Sequence, residues 1–186
     1  MRKGTANDPG RRQRIREAAA AVIADEGVEA ATYRRIAARA QVPLGSMTYY
    51  FPNLAGLITS AFELLGEQLR PLYDAPIRDA ADRQAAIDVL VEATCGSTRA
   101  SRQQLRLFRE MYHYGSHNPT VATHIASLEA DAIEALRSHF TERAARAIDA
   151  LVEGWWIYQS WNPDPLDPDM VRRAFTSLAG EFDSEP

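Results

Sequence analysis

An all-α fold is predicted by three features of the sequence. Apolar residues recur at three- and four-residue spacings from end to end, no stretch alternates as a half-buried strand would, and the breaks between periodic runs fall at glycine, proline and cap-forming residues. The 186 residues suffice for a substantial core, which about nine helices would enclose.

The first helix starts near Asp8 as N-cap with Pro9 in its first turn, buries Ile15, Ala18, Ala19, Val22 and Ile23, and ends at Gly27. Thr32 caps a short second helix whose inward residues are Ile36, Ala37 and Ala40, leaving Tyr33, Arg34, Arg35 and Arg39 outside or at its edges. Gln41-Val42-Pro43 breaks it. A third helix, about Leu44 to Tyr50, stops at Phe51-Pro52 because proline disfavours helix in the residue before it. Beyond Pro52 the helices lengthen. One runs from Leu54 to Leu72, ending around Pro71 to Pro76, and the next is marked by Ile87, Leu90, Val91 and Thr94. A shorter one follows at Leu105, Phe108 and Tyr112, with a break at Asn118-Pro119. Three more are marked by Val121 to Leu136, Ala144 to Trp155 and Val171 to Phe182. Residues 1–7 and 183–186 read as frayed tails, and the proline- and aspartate-rich loop Asn162 to Asp169 as surface. This order divides the chain at residue 52 into a three-helix half, residues 8–52, and a larger helical half, residues 53–183.

The net charge of −4 hides an asymmetry: residues 1–57 carry nine basic and five acidic side chains, the remainder twelve basic and twenty acidic. Phosphate binding needs only a local cationic surface, so an acidic body elsewhere is no obstacle. The longest aliphatic run, Ala18 to Ala24, is far short of the roughly twenty residues that cross a bilayer, and no secretory h-region follows Arg2 and Lys3, so a cytoplasmic location is expected. A single cysteine, Cys95, excludes an internal disulfide. No glycine-rich phosphate loop, nucleophile elbow or zinc-protease helix is present, so neither an enzyme nor a cofactor is expected.

Two short helices across a three-residue break have the shape of a helix-turn-helix. In residues 44–51, Met47 and Phe51 sit four apart and can pack inward, turning Leu44, Gly45, Ser46, Thr48, Tyr49 and Tyr50 towards solvent. Gly45 and Ser46 have little side chain, so the helix start can approach a duplex closely. Ser46 and Thr48 suit bases or phosphates, and the tyrosine hydroxyls suit phosphates. Thr32, Tyr33, Arg34 and Arg35 stand at the start of the supporting helix, and Asn53 at the start of the next. Arg11, Arg12, Arg14 and Arg16 are either a basic arm for an adjacent groove or a solvated face of the first helix.

Residues 15–57 resemble the DNA-binding domain of TetR-family regulators. The resemblance rests on Thr32-Tyr33-Arg34-Arg35-Ile36-Ala37, then Ala40-Gln41-Val42-Pro43-Leu44-Gly45-Ser46, then Met47-Thr48-Tyr49-Tyr50-Phe51 and Leu57. It implies a homodimeric transcription regulator, with Thr32, Arg34, Ser46, Tyr49 and Tyr50 as DNA contacts and Tyr49 foremost on phosphate. Three positions depart from the family pattern: Gln41 stands where glycine is frequent, Pro43 where serine or threonine caps the reading helix, and Leu54 where a phosphate-binding lysine is common.

The resemblance further implies that the last two helices, residues 144–160 and 170–182, form the homodimer interface, and that the large half encloses a small-molecule effector. Two-fold symmetry then calls for a near-palindromic operator in double-stranded DNA. Candidate effector contacts are Phe62, Cys95, Phe108, Arg109, Tyr112, His113, Trp155, Trp156 and Tyr158, an aromatic and polar set, each of which has an alternative as plain core. His113 and His117, with Glu110 one turn earlier, have metal-like spacing, but Gly115 and Asn118-Pro119 interrupt the helix and no metal site is expected. The rival reading is a helical dimer whose DNA-binding half is degenerate and which acts through protein partners.

Overall fold

The structure, a computed structural model, describes residues 9–183. Among them there are ten α-helices and no strand: α1 Pro9–Glu26, α2 Tyr33–Ala40, α3 Met47–Tyr50, α4 Leu54–Leu69, α5 Asp74–Arg78, α6 Arg83–Cys95, α7 Arg102–Gly115, α8 Pro119–Leu136, α9 Glu142–Gln159 and α10 Pro168–Asp183. Nine are those marked in the sequence, and α5 is an additional single turn. The cap assigned to Asp8 and the tails 1–7 and 184–186 lie outside the described residues, while Asp183 closes α10.

Side-chain caps set most helix starts. Thr32 accepts from the Arg35 N–H, Asn53 from Gly56, Asp82 from Ala85, Asn118 from Val121 and Thr141 from Ala144, each satisfying a donor the first helical turn leaves unpaired. A reciprocal capping box between Ser101 and Gln104 starts α7 earlier than its apolar residues suggest. Asn118-Pro119, read as a break, is the cap and first residue of α8. The helix after Pro52 ends at Leu69 rather than Leu72: Pro71 has no N–H to continue the ladder, and the chain tightens into a 3₁₀ turn over Arg70–Leu72 before α5.

α1 packs against α2, α4 and α7, so the small N-terminal unit and the larger bundle share one helix. Its core joins Ile15, Ala19, Val22 and Ile23 to Ile36, Met47, Phe51 and Leu57, all buried. Full burial of each large side chain stabilises by roughly 1.5–3 kcal/mol, which holds short helices that could not persist alone. In the larger bundle α8 and α9 pack on α7, and α10 lies on α6 and α9. Gly66 lets α4 approach α8: a Cβ there would lie 2.8 Å from Leu128 Cδ2.

Candidate nucleic-acid interface and ligand cleft

The turn between α2 and the reading helix rests on Gln41, the one non-glycine residue with positive φ among those described (φ 55°, ψ 43°). Its N–H reaches the Ala38 carbonyl at 3.3 Å and the Val42 N–H reaches Ala37 at 3.0 Å, terminating α2 as a glycine would, at the cost of left-handed strain. Pro43 brings no side-chain cap. Instead the chain enters a 3₁₀ turn, Leu44–Ser46, in which the Ser46 hydroxyl donates to the Pro43 carbonyl at 2.7 Å before α3 begins.

Met47 and Phe51 are 0% and 4% exposed, whereas Tyr49 is 75% exposed. Thr48, Gly45 and Leu44 are exposed as well, and Tyr50 is half-buried with its ring edge-on to Tyr49, centroids 5.0 Å apart. A Cβ at Gly45 would meet nothing within 4 Å, so the chain's own packing does not require glycine there. Arg34 is exposed and makes no ion pair among the described residues. Asn53 caps α4 through Oδ1 (2.7 Å to the Gly56 N–H), leaving its amide donors at the helix start.

Other side chains are committed within the protein. Tyr33, placed at the outer edge by the sequence, turns inward: its hydroxyl donates to the Phe51 carbonyl at 2.6 Å and ties the end of α3 to α2. Burial raises its pKa, so the proton stays in place. Arg35 pairs with Glu26. In the arginine stretch, Arg16 donates two hydrogen bonds to the Glu67 carboxylate (2.9 and 3.2 Å) and one to the Ser60 carbonyl at 3.2 Å, fastening α1 to α4 rather than extending as an arm. The Arg12 guanidinium lies over the Phe51 ring, 4.6 Å from its centroid. Leu54, in place of lysine, packs half-buried on the core.

A narrow cleft of about 60 Å³ opens between α4, α5, α7, α8 and α9. Of the nine effector candidates, Phe108 and Trp156 line it, and the Tyr112 hydroxyl donates to Glu153, which lines it too. The others lie elsewhere. Phe62 is fully buried beside Tyr114, Trp155 stacks edge-on to Phe175 (5.4 Å) between α9 and α10, and Tyr158 is exposed next to Trp161. Arg109 bonds Glu110 and Ser160. Cys95 Sγ contacts the Val91 carbonyl at 3.3 Å, and burial pushes the thiol pKa up, away from reactivity. His113 is exposed, Glu110 turns away to the Val28 N–H, and no group of three metal-ligating side chains occurs among the described residues.

Sequence reasoning missed the acids of this cleft. Asp74, Glu129, Asp149 and Glu153 all line it, and Tyr73 joins Phe108 and Trp156 as its aromatic wall. The available signal was on α9, where Asp149 and Glu153 sit four apart among Ala145, Ile148, Val152 and Trp156, acids on an otherwise apolar face. Asp149 is 6% exposed and pushed up to about 8, first by burial and then by Glu153, Glu129 and Asp74. Burial also raises Glu153, partly offset by the Tyr112 hydrogen bond.

Residues 15–68 match the family described as bacterial regulatory proteins, tetR family. Over 180 residues the chain is 24% identical to the HTH-type transcriptional regulator BetI of Cronobacter sakazakii, covering 91% of this chain and 89% of BetI. A Streptomyces coelicolor A3(2) protein described as a transcriptional regulator, SCO7518, superposes with a TM-score of 0.79 at 30% identity, over 92% of this chain and 99% of that one. The multidrug binding protein EbrR, solved with imidazole, superposes with a TM-score of 0.75 at 28% identity, over 92% and 96% of the two chains. The helix-turn-helix, the helical body behind it and these likenesses agree: the chain belongs to the TetR family of bacterial regulatory proteins.

Proposed function

We propose that this regulator acts as a cytoplasmic homodimer that holds two α3 helices on a near-palindromic operator and lets go when a small molecule enters the cleft. Residues 8–52 form the DNA-binding half in this reading, and residues 53–183 the effector and dimerisation half. The observation that carries it is the division of faces on residues 44–51: Met47 and Phe51 are sealed in the core while Tyr49 stands three-quarters exposed. Thr32, Arg34, Gly45, Ser46, Thr48, Tyr49, Tyr50 and the Asn53 amide supply the surface for phosphate and base edges. Two-fold pairing sets the reading helices about one DNA turn, roughly 34–36 Å, or somewhat further apart.

Pairing through α9 and α10 is supported by what these helices leave open. Ala150, Gly154 and Tyr158 lie exposed at four-residue spacing on α9, and a Cβ at Gly154 or Gly180 would meet nothing within 4 Å. A second copy of the same helix pair completes a four-helix bundle there. The small-molecule half of the reading draws on EbrR, a multidrug binding protein of the same fold. Passage of the signal is supported by α4 and α7, which line the cleft at one end and hold the DNA-binding half at the other. A dimer acting only through protein partners is not favoured, since the family match covers the helix-turn-helix and its outward face is intact.

The test is a gel shift with DNA from upstream of the protein's own gene. Wild type should shift it, Tyr49→Ala should weaken binding by about tenfold or more, and Tyr49→Phe should show the share owed to the hydroxyl. If Tyr49→Ala binds as wild type does, the assigned DNA face is wrong.

A further inference from the structure

Resting on the reading of the cleft as an effector site, we propose that its effector is an organic cation with an aromatic or alkyl body, seated on the faces of Tyr73, Phe108 and Trp156 with Asp149 as principal counter-charge.

The first support is an imbalance of charge. Four carboxyl groups, from α5, α8 and α9, line one cleft, and the only basic side chain among the lining residues, Arg70, is paired with Asp131. Glu153 has the Tyr112 hydroxyl. Among the described residues Asp149 has no hydrogen bond or ion pair, and it faces three further carboxyl groups. A carboxyl group so buried stabilises nothing by itself, because its charged form has lost water and gained only like charges. A cationic ligand supplies the missing charge; an anion would meet four acids.

The aromatic wall is the second support. Trp156 is edge-on to both Phe108 (centroids 5.4 Å) and Tyr73 (5.9 Å), and Tyr112 lies 4.8 Å from Phe108. The electron-rich faces of such rings attract cations, by about 2 kcal/mol or more where water is excluded. Two polar atoms in the same wall have no partner: the Tyr73 hydroxyl and the Trp156 indole N–H are buried without a hydrogen bond, on residues 4% and 6% exposed.

The experiment uses ions of one shape and opposite charge on the full chain without DNA: tetraphenylphosphonium, tetraphenylborate and the uncharged triphenylphosphine oxide, with benzyltrimethylammonium as a slimmer cation. Calorimetry and tryptophan fluorescence read binding. At least one cation should bind, tetraphenylborate should not, and Asp149→Asn should weaken the cation about tenfold or more, with Glu153→Gln weakening it less. Circular dichroism confirms that both variants fold. Tighter binding of the borate or the oxide, no binding of either cation below about 1 mM, or an unchanged affinity in Asp149→Asn overturns the proposal. A gel shift with the bound cation separates this from the regulatory reading. Binding without release of DNA leaves the cation site standing and removes its role as trigger, whereas release by an uncharged compound keeps the trigger and removes the cation.

Discussion

Arg106 of α7 lies 2.8 Å from one carboxylate oxygen of Asp25 at the end of α1, and the other oxygen of Asp25 holds Arg39 of α2 at 3.1 Å. Arg106 also donates to the Ala24 carbonyl at 2.9 Å, satisfying one of the carbonyls that end α1. One side chain on a cleft-lining helix is thus wired to both helices that support the reading helix. The pairs are one-third to one-half exposed and so contribute modestly, on the order of 0.5–1 kcal/mol each. Arg106→Ala should therefore lower stability by about 1 kcal/mol yet blunt effector-driven release of operator more than it changes operator affinity. Titrating effector against operator-bound wild type and variant checks this; unchanged release would show that the signal travels by α4 alone.

Gln41 is held in the left-handed region by the two hydrogen bonds that end α2. Glycine adopts that conformation without the Cβ penalty of about 1–2 kcal/mol, part of which returns as greater freedom of the unfolded chain. Gln41→Gly should stabilise by up to about 1 kcal/mol, a rise of roughly 2–4 °C in Tm, with operator affinity maintained. Thermal unfolding followed by circular dichroism decides it, and a fall in Tm would mean the Gln41 side chain makes a compensating contact.

Gly45 has open space where a Cβ would stand. Gly45→Ala should leave thermal stability within about 0.5 kcal/mol of wild type while weakening operator binding, because the obstacle exists only when the duplex is present. Beside it, Thr48→Ala should change which operator bases are preferred. Ser46→Ala should do so too while also losing the bond to Pro43, worth about 1 kcal/mol. Selection of bound sequences from a randomised operator separates preference from affinity; uniform loss in both variants would assign these hydroxyls to phosphate.

Asp149 sets a pH dependence. The groups facing it are Glu153 on its own helix, Glu129 on α8, Asp74 and Tyr73 at α5, Tyr112 on α7 and Arg70 before α5. Its pKa rises from an ordinary aspartate value to about 8 in the folded protein, so its contribution to stability is fully present only below the unfolded value and is lost as pH rises through about 8. Stability should decline between the ordinary aspartate range and about pH 8 in wild type, level off above that, and decline less in Asp149→Asn. A bound cation should reverse the sign: its affinity should increase across the same range, as a proton no longer competes for the carboxylate. Melting curves at pH 6, 7.5 and 9, with and without tetraphenylphosphonium, check both; parallel curves for the two proteins would place the titration elsewhere.

The sequence by itself determined the helices and their order, since a period of 3.6 residues, caps such as Thr32 and Asn53, and the stop at Phe51-Pro52 are local properties. It likewise determined the inward turn of Met47 and Phe51 and the outward turn of Tyr49, because four residues on one short helix fix a face. The tertiary structure alone decided which helices meet. Phe62, Phe108, Trp155 and Trp156 are equivalent on paper as buried aromatics; only the packing of the helices separates the two that line a cleft from Phe62 inside the core and Trp155 half-buried against Phe175. It also brought Asp74, Glu129, Asp149 and Glu153 together from three helices, and turned Arg16 and Tyr33 from an apparently free surface into internal fastenings. Periodicity records which side of a helix is buried but carries nothing about what lies opposite, and the chemistry of a cleft belongs to the pair of faces rather than to either one.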